Sequence, residues 1–444
     1  PSALAGNRIV SLDFIRGIAV MGILAANIVA FGQPFSAYMY PDGFLVPHSD
    51  AEDWMWVAQF VLIDGKMRGL FTLLFGAGLY LFMEKAWAKG EGRELQVRRL
   101  FWLLLFGLVH FYLIWRGDIL IYYAVFGLVT MIGIRWAAKT QLIVGVLGYA
   151  AGIAMIASFT AAPYFIAETG LGEQPAYAEL REQLAADKQT TLEEGLAERQ
   201  VIAEGSYPDY VRHNITEHGG DPLFGLFLFA FESVPLMLIG MALYRFGLFS
   251  GGMNPGRQLR WGLAGIAIGS AVTLLIALWV KGIGFSYWST LAAFMSFSML
   301  PRLPVILGLA AVLAVIGTRT SGWLAERISA AGRAAFTNYI GTSLVMLLVF
   351  HGWAGGLYGE LGRSELYLVM LATWALMLLW SKPWLARFRF GPLEWLWRCL
   401  TYWRIFPLRR YARRGKRRLI MRTTLTRTAH ASQSQELSSV RLHL

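Results

Sequence analysis

Long runs of apolar residues dominate this sequence. The hydrocarbon core of a bilayer is about 30 Å thick, and a helix needs roughly 20 apolar residues to cross it. Ten runs of about this size occur, at residues 12–32, 56–83, 100–115, 118–134, 140–161, 223–244, 261–280, 290–316, 335–351 and 366–381. We therefore predict an all-α fold, a polytopic integral membrane bundle of about ten transmembrane helices.

The overall composition supports this class. Of the 444 residues, 56% are hydrophobic and only 15% are charged, whereas a soluble domain carries about a quarter charged residues. These values exclude disordered, collagen-like and disulfide-scaffold proteins. Cys399 is the single cysteine, so the chain can form neither an intrachain disulfide nor a cysteine-built zinc site. No metal is predicted, because the seven histidines lack ligand spacing.

Loop charges predict the orientation of the bundle, because Lys and Arg are retained on the cytoplasmic side. Every second loop contains Lys or Arg, namely 84–99, 135–139, 245–260 and 317–334. The intervening residues 33–55 contain four acidic residues and no Lys or Arg, and residues 162–222 contain twelve acidic residues against four basic ones. Both termini are therefore predicted to be cytoplasmic.

Four regions follow from this pattern: helices 1–5 in residues 1–161, an acidic extracytoplasmic insertion at 162–222, helices 6–10 in 223–381, and a basic cytoplasmic tail at 382–444. In the insertion, the stretch from Ala176 to Ala203 predicts one or two polar helices. The insertion is either a lid or a solvated connector without a role in chemistry.

The basic tail accounts for the formal net charge of +12, because it contains fifteen Lys or Arg and two Glu. Its densest part is Arg409, Arg410, Arg413, Arg414, Lys416, Arg417 and Arg418. A basic cluster directly after a final span favours anionic lipid headgroups, at about 1 kcal/mol per residue, over nucleic acid as a partner.

The first apolar run contains a stripe of polar side chains. Asp13 and Arg16 are three residues apart and can pair along one helix face. Asn27 follows Arg16 by eleven residues. At about 100° per residue, this spacing places both side chains on nearly the same face of the helix. The alternative is a purely structural role, in which Asp13 and Arg16 form an ion pair and Asn27 makes an interhelical hydrogen bond. For Asp13 this structural role is favoured. Both charges also argue against a cleaved signal peptide.

His110 and Asp118 flank a tight hairpin between the third and fourth runs. A membrane-embedded histidine with a nearby carboxylate can act as a general base, because the carboxylate fixes the tautomer and stabilises the imidazolium. The alternative is a histidine hydrogen-bonded to a neighbouring helix.

Further polar residues interrupt later runs. Glu232 lies near the middle of the sixth run, where an unpaired carboxylate would be protonated or would face a water-filled cavity. Lys66 and Arg68 interrupt the second run, and Asn338 adds an amide to the ninth. The eighth run contains two prolines, which predict a kink or a preceding re-entrant piece. No soluble-enzyme motif is present.

Several sequence blocks resemble the YeiB family of bacterial inner-membrane proteins. They run in family order from residue 8 to about residue 410, at residues 8–17 with Asn27, 73–78, His110 with 117–120, 237–240, 332–339 and 390–402. The resemblance implies a multi-pass protein of the bacterial inner membrane. It also implies a distant relationship to transmembrane acyltransferases such as the lysosomal heparan glucosaminide acetyltransferase.

That relationship implies transfer of an acyl, most simply an acetyl, group from cytosolic acyl-CoA (acetyl-CoA) to a small-molecule or glycan acceptor on the other side. In the lysosomal enzyme the catalytic histidine follows the first helix, and His48 is the closest positional candidate here. His110 belongs to the YeiB pattern itself and is preferred.

The leading hypothesis is therefore acyl transfer across the membrane. Basic side chains at the cytoplasmic mouth would hold CoA phosphates, namely Arg98, Arg99, Arg245 and Arg333, with Arg16 next along the route. Asn27 and Asn338 would act as oxyanion donors, and His110, Asp118 and His48 would line the outer half. Each arginine also fits ordinary positive-inside topology.

Two other functional classes stay open. A transporter or exporter of a small solute could use Asp13, Glu232 and His110 without acyl chemistry, and a scaffold protein is not excluded. The sequence leaves the oligomeric state open, a homo-oligomer included.

Overall fold

The computed structural model describes residues 9–410, and within them the protein is helical without a β-strand. The basic cluster from Arg413 to Arg418 lies outside the described residues. Sixteen α-helices follow one another along the described chain: α1 Val10–Gly32, α2 Asp50–Leu62, α3 Lys66–Trp87, α4 Glu94–Leu113, α5 Leu120–Thr130, α6 Ala138–Glu168, α7 Ala178–Arg199, α8 Tyr207–Thr216, α9 Asp221–Arg245, α10 Pro255–Gly282, α11 Tyr287–Ala292, α12 Met299–Arg319, α13 Trp323–Arg333, α14 Ala335–Phe350, α15 Arg363–Arg387 and α16 Pro392–Tyr402.

The predicted apolar runs all coincide with helices. In the described residues, seven helical segments are long and apolar enough to cross a membrane, or eight if the bent pair α13–α14 is one span. This confirms a multi-pass helical membrane protein. The runs of α4 and α5 are less clear spans, because α4 contains Arg98 and Arg99 and α5 has only 11 residues.

Two predicted runs are broken. The second run divides into α2 and α3 at Asp64 and Gly65, where Gly65 adopts a left-handed φ of 69°. The eighth run divides into α11, a π-helical turn at 293–297, and α12. The break at Ser298 comes before both prolines. Pro301 falls in the first turn of α12, where the missing N–H of proline costs no helical hydrogen bond.

We name the two ends of the bundle by the predicted topology. The inner end contains the start of α1 and the loop between α3 and α4, and the outer end contains the insertion. The insertion consists of the end of α6, then α7, a π-helical turn and α8. It folds back onto the bundle, where Tyr207 and Tyr210 donate hydrogen bonds of 2.7 and 3.2 Å to the carbonyls of Leu113 and Ile114.

Glycines allow α3 and α9 to approach closely. A Cβ atom on Gly240 would collide with the backbone of Leu73, and one on Gly76 would collide with the backbone of Met237. In a bilayer, small residues let helices gain van der Waals contact where no hydrophobic driving force acts between them. This contact positions α3 and α9, which carry charged residues of the site described below.

Replacement of Gly240 by Leu is expected to destabilise the bundle, because the added side chain must separate two helix backbones. Overpacking of this kind costs about 1–3 kcal/mol. Thermal unfolding in detergent, followed by size-exclusion fluorescence, would measure the loss. Gly341→Leu is the matched control, because nothing lies within 4 Å of a Cβ at Gly341 in α14. Equal midpoints for the two variants would contradict the prediction.

Candidate functional site

A cavity of about 230 Å³ opens at the inner end of the bundle. Three arginines line it, namely Arg16 of α1, Arg99 of α4 and Arg333 of α13, together with Glu394 of α16. The rest of its wall is mainly aromatic and aliphatic, including Phe71, Leu74, Phe75, Leu103 and Leu120. We call this space the inner cavity. Its polar side chains carry three positive charges against one carboxyl group.

Neighbouring side chains hold the arginines in place. Arg16 lies 3.6 Å from the Asp13 carboxylate, so the predicted pair is present along one face of α1. The Arg99 guanidinium lies over the ring of Trp397, 4.3 Å from its centroid, and also over Phe82. Such stacking fixes a guanidinium without using its hydrogen-bond donors. Arg99 therefore combines a fixed position with donors that can bind a ligand.

Glu394 caps the first turn of α14 at this cavity. Its carboxylate accepts hydrogen bonds of 2.7 and 3.0 Å from the amides of Phe336 and Thr337, and one of 2.6 Å from the Thr337 hydroxyl. Burial raises the pKa of Glu394 above its usual range. Glu394 therefore occupies the anion-favouring N-terminus of α14 and satisfies its first amides, so the arginines are the groups of this cavity that can bind a negatively charged ligand.

A second cavity, of about 420 Å³, lies on the outer side. We call it the outer cavity. Its wall is mostly apolar. It includes three of the predicted site residues, Asn27, Asp118 and Glu232. Asn27 and Arg16 are eleven residues apart on α1, about 16 Å along the helix axis. The two cavities therefore open at different depths of the bundle.

Tyr123 lines both cavities and separates them. Its hydroxyl lies 2.8 Å from that of Thr72, and it donates a 3.3 Å hydrogen bond to the carbonyl of Arg68. These contacts fix the tyrosine of α5 against α3. The inner and outer cavities thus meet at one held aromatic side chain.

Glu232 is paired with two arginines, which corrects the expectation of an unpaired carboxylate. Arg302 of α12 donates a 3.0 Å hydrogen bond to Glu232, and Arg68 of α3 contacts its other carboxylate oxygen. Arg302 also donates to the Ser298 hydroxyl at 2.7 Å. A missing Cβ at Gly65 leaves room for the Arg302 guanidinium. This Arg68–Glu232–Arg302 network joins α3, α9 and α12.

His110 and Asp118 form a fully enclosed pair. The Nδ1 atom of His110 lies 2.8 Å from the Asp118 carboxylate, and both side chains are 0% exposed. The second Asp118 oxygen accepts a 2.7 Å hydrogen bond from the Ile121 amide. The Nε2 atom of His110 lies 2.8 Å from the Ser343 hydroxyl on α14. The histidine therefore has the predicted carboxylate partner and also the interhelical hydrogen bond of the alternative interpretation.

Five of the predicted site residues line none of the described cavities, namely His110, Asn338, Arg98, Arg245 and His48. Arg245 donates a 3.1 Å hydrogen bond to the Gln141 side chain. The Asn338 amide donates to Ala331 and Ser381 and accepts from Trp380, so its hydrogen-bonding capacity is used in helix packing. Arg98 is adjacent to Arg99 but does not line the inner cavity. His48 lies in the loop before α2, 2.9 Å from Asp42.

The insertion covers a third space, of about 560 Å³, above the outer cavity. We call it the vestibule. Arg116 lines both spaces, and it donates a 2.8 Å hydrogen bond to Glu198 of the insertion. His218 lies 3.0 Å from Asp221, and burial followed by the nearby Arg116 charge lowers the pKa of His218. The insertion therefore contributes polar groups to an entrance instead of standing apart from the bundle.

Four residues of this arrangement were not predicted from the sequence: Arg302, Ser343, Tyr123 and Arg116. Arg302 could have been found, because a charged residue within an apolar run requires a partner in the same way as Glu232. Ser343 and Tyr123 carry no such signal, because serine and tyrosine are common in membrane helices.

Comparison with known proteins places these features in a family. A family model described as a protein of unknown function (DUF418) matches residues 243–404. No solved structure is significantly similar to the chain.

Relatives match over much more of the chain. It is 30% identical over 400 residues to the uncharacterized protein YeiB of Escherichia coli (strain K12), covering 89% of this chain and 96% of the relative. It is also 30% identical over 413 residues to the uncharacterized protein YxaH of Bacillus subtilis (strain 168), covering 90% and 95%. Because this identity extends over nearly the whole of each chain, the protein belongs to the YeiB family.

Proposed function

We propose that this membrane protein transfers an acyl group, most simply acetyl, from a cytosolic acyl-CoA to an acceptor hydroxyl or amine on the extracytoplasmic side. The proposal includes ten membrane spans with both termini cytoplasmic, in the bacterial inner membrane, and a basic tail that contacts anionic lipids. The observation that carries it is the pair of cavities that open at opposite depths and meet at Tyr123.

The inner cavity suits a donor with phosphate groups. Its three arginines outnumber its one carboxyl group, and guanidinium groups bind phosphates through paired hydrogen bonds. The apolar wall beyond the arginines suits the uncharged arm of an acyl-CoA, which carries the thioester. This places the phosphates near the inner end and directs the acyl group toward Tyr123.

The outer cavity suits an acceptor without net charge. Its lining has three arginines and three carboxylates, so the formal charges balance. Most of the remaining wall is apolar, as in pockets for small molecules, where a few polar groups fix the orientation. The vestibule provides a polar approach from the insertion, which then acts as a lid.

The His110–Asp118 pair lies at the level between the two cavities. Tyr339, whose ring centroid is 5.1 Å from that of His110, lines the inner cavity, and Asp118 belongs to the lining of the outer cavity. A thioester has a good leaving group, so transfer chiefly requires a base for the attacking hydroxyl. The pair supplies such a base, because Asp118 stabilises the imidazolium that forms.

Replacement of Arg99 by Gln is expected to weaken CoA binding about tenfold or more, because a hydrogen bond to a charged group contributes about 1.5–3 kcal/mol. Calorimetry on purified protein with CoA would measure the change in Kd. Arg98→Gln is the matched control, because Arg98 is the preceding residue on α4 and does not line the cavity. Equal losses in both variants would indicate a general effect of positive charge.

Replacement of His110 by Ala, or of Asp118 by Asn, is expected to lower acetyl-CoA turnover about 100-fold or more, because general base catalysis contributes on that scale. Release of the CoA thiol, with water or an added acceptor, measures turnover. The Kd for CoA should stay unchanged, since neither side chain contacts the inner cavity. Full turnover in His110→Ala, with loss in His48→Ala, would transfer the role to His48.

The same measurements distinguish the transporter hypothesis. A transporter of a small solute would bind no CoA at high micromolar concentration and would release no thiol. Proton-coupled uptake into vesicles that depends on Glu232 would then favour the transporter, and the acyltransferase proposal would be wrong.

A further inference from the structure

We propose that Ser343 is the nucleophile that carries the acyl group between donor and acceptor as a serine ester. This inference rests on the proposed acyltransferase function and extends it, because it assigns a covalent step to a residue of α14. Asp118, His110 and Ser343 form one hydrogen-bonded chain with two contacts of 2.8 Å. A nucleophile, a base and an orienting carboxylate in this order are the arrangement used in nucleophilic catalysis.

The direction of the hydrogen bonds follows from the chemistry of the groups. An ionised carboxylate can only accept, so the Nδ1 atom of His110 carries the hydrogen and donates to Asp118. The neutral ring then has a lone pair on Nε2, which accepts from the Ser343 hydroxyl. His110 is thereby prepared to take the proton of Ser343.

Burial restricts which hydroxyl His110 can deprotonate. The imidazole is 0% exposed, and its two nitrogens contact Asp118 and Ser343. A hydroxyl in the outer cavity would have to displace one of these partners to reach the base. Ser343 is already in place, so the first group that the base activates is this serine.

Ser343 also borders a small chamber. The chamber measures about 20 Å³, enough for one water molecule, which needs about 10–15 Å³ by this measure. His351 lines it, and its buried Nδ1 atom has no hydrogen-bond partner in the described residues. Arg116 and Glu198 line it too and are joined by a 2.8 Å hydrogen bond. The chamber beside Ser343 therefore has polar groups in its wall.

The chamber adjoins the outer cavity across Trp115. Ala30, Trp115 and Arg116 line both spaces. The Trp115 ring, which stacks on Phe31 with a centroid distance of 3.9 Å, borders both spaces. In the proposed cycle this ring moves when the acceptor binds, and the acceptor reaches the serine ester from the outer cavity.

The position of Ser343 on α14 bridges the two sides. Tyr339, one turn earlier on the same helix, lines the inner cavity, and one turn rises about 5.4 Å. Ser343 thus lies about one turn outward from the donor side, at the chamber that shares Trp115 with the outer cavity. A carrier at this level lets donor and acceptor react without meeting in one space.

Two balanced steps follow. In the first, the Ser343 oxygen attacks the thioester carbonyl, the carbon–sulfur bond breaks, and His110 passes the serine proton to the leaving thiolate, giving acyl-O-Ser343 and CoA-SH. In the second, an acceptor hydroxyl or amine attacks the serine ester, its proton passes through His110 to the Ser343 oxygen, and the acylated acceptor leaves. No further reactant is needed.

The test is to trap the serine ester. Purified protein is mixed with labelled acetyl-CoA without acceptor, quenched in acid, and analysed for label on the chain and for the modified peptide. We expect a burst of CoA thiol approaching one per chain and acetyl on Ser343. In Ser343→Ala the label and the burst should disappear, and turnover should fall about 100-fold or more, with the Kd for CoA unchanged.

Thr342→Val is the matched control, because the Thr342 hydroxyl donates to the helix carbonyl of Asn338 and lies beside Ser343. It should keep the burst and the label. Turnover in the unmodified protein without burst or label, or turnover retained in Ser343→Ala, would overturn the assignment of Ser343 and leave the acyltransferase function standing. Absence of both CoA binding and thiol release would overturn the function and, with it, this inference.

Discussion

The Arg68–Glu232–Arg302 network is the interaction on which the arrangement of the bundle depends. Charges removed from water cost several kcal/mol each unless partners compensate them. Glu232 and Arg302 are buried here between α9 and α12, and the half-buried Arg68 joins them from α3. Three glycines allow the close contacts that this network requires. Gly65 makes room for Arg302, and Gly76 and Gly240 bring α3 against α9. The network alone has two guanidinium groups against one carboxylate, and the formal charges of the outer cavity balance when Arg116, Asp118 and Asp221 are counted with it.

This difference between the two cavities organises the proposed chemistry. The inner cavity keeps an excess of positive charge, and the outer cavity has none. In the proposed reaction an anionic donor binds on one side and a neutral acceptor enters on the other. Tyr123 lines both cavities, so in this proposal the small acyl group passes it and the whole donor does not. Group transfer across a membrane demands this separation.

Local patterns predicted much of the fold and part of the site. Apolar runs located the helices, because the bilayer requires a minimum length of apolar chain. The Asp13–Arg16 pair and the meeting of His110 with Asp118 followed from residues close in sequence. Contacts between distant segments did not. Glu232 and Arg302 are 70 positions apart, and His110 and Ser343 are 233 apart. No periodicity encodes which helices become neighbours, so these partners required the structure.

The cap that Glu394 places on α14 has a mechanical consequence. Four hydrogen bonds join the start of α16 to the first turn of α14. The Glu394 carboxylate accepts from the amides of Phe336 and Thr337 and from the Thr337 hydroxyl, and that hydroxyl accepts from the Leu393 amide. A displacement of α16 must either break these bonds or pull the first turn of α14 with it. Ser343 lies on α14, about two turns further on. A displacement of α16 is therefore transmitted along α14 to the buried Ser343. The helix α16 is thus mechanically coupled to the interior of the bundle.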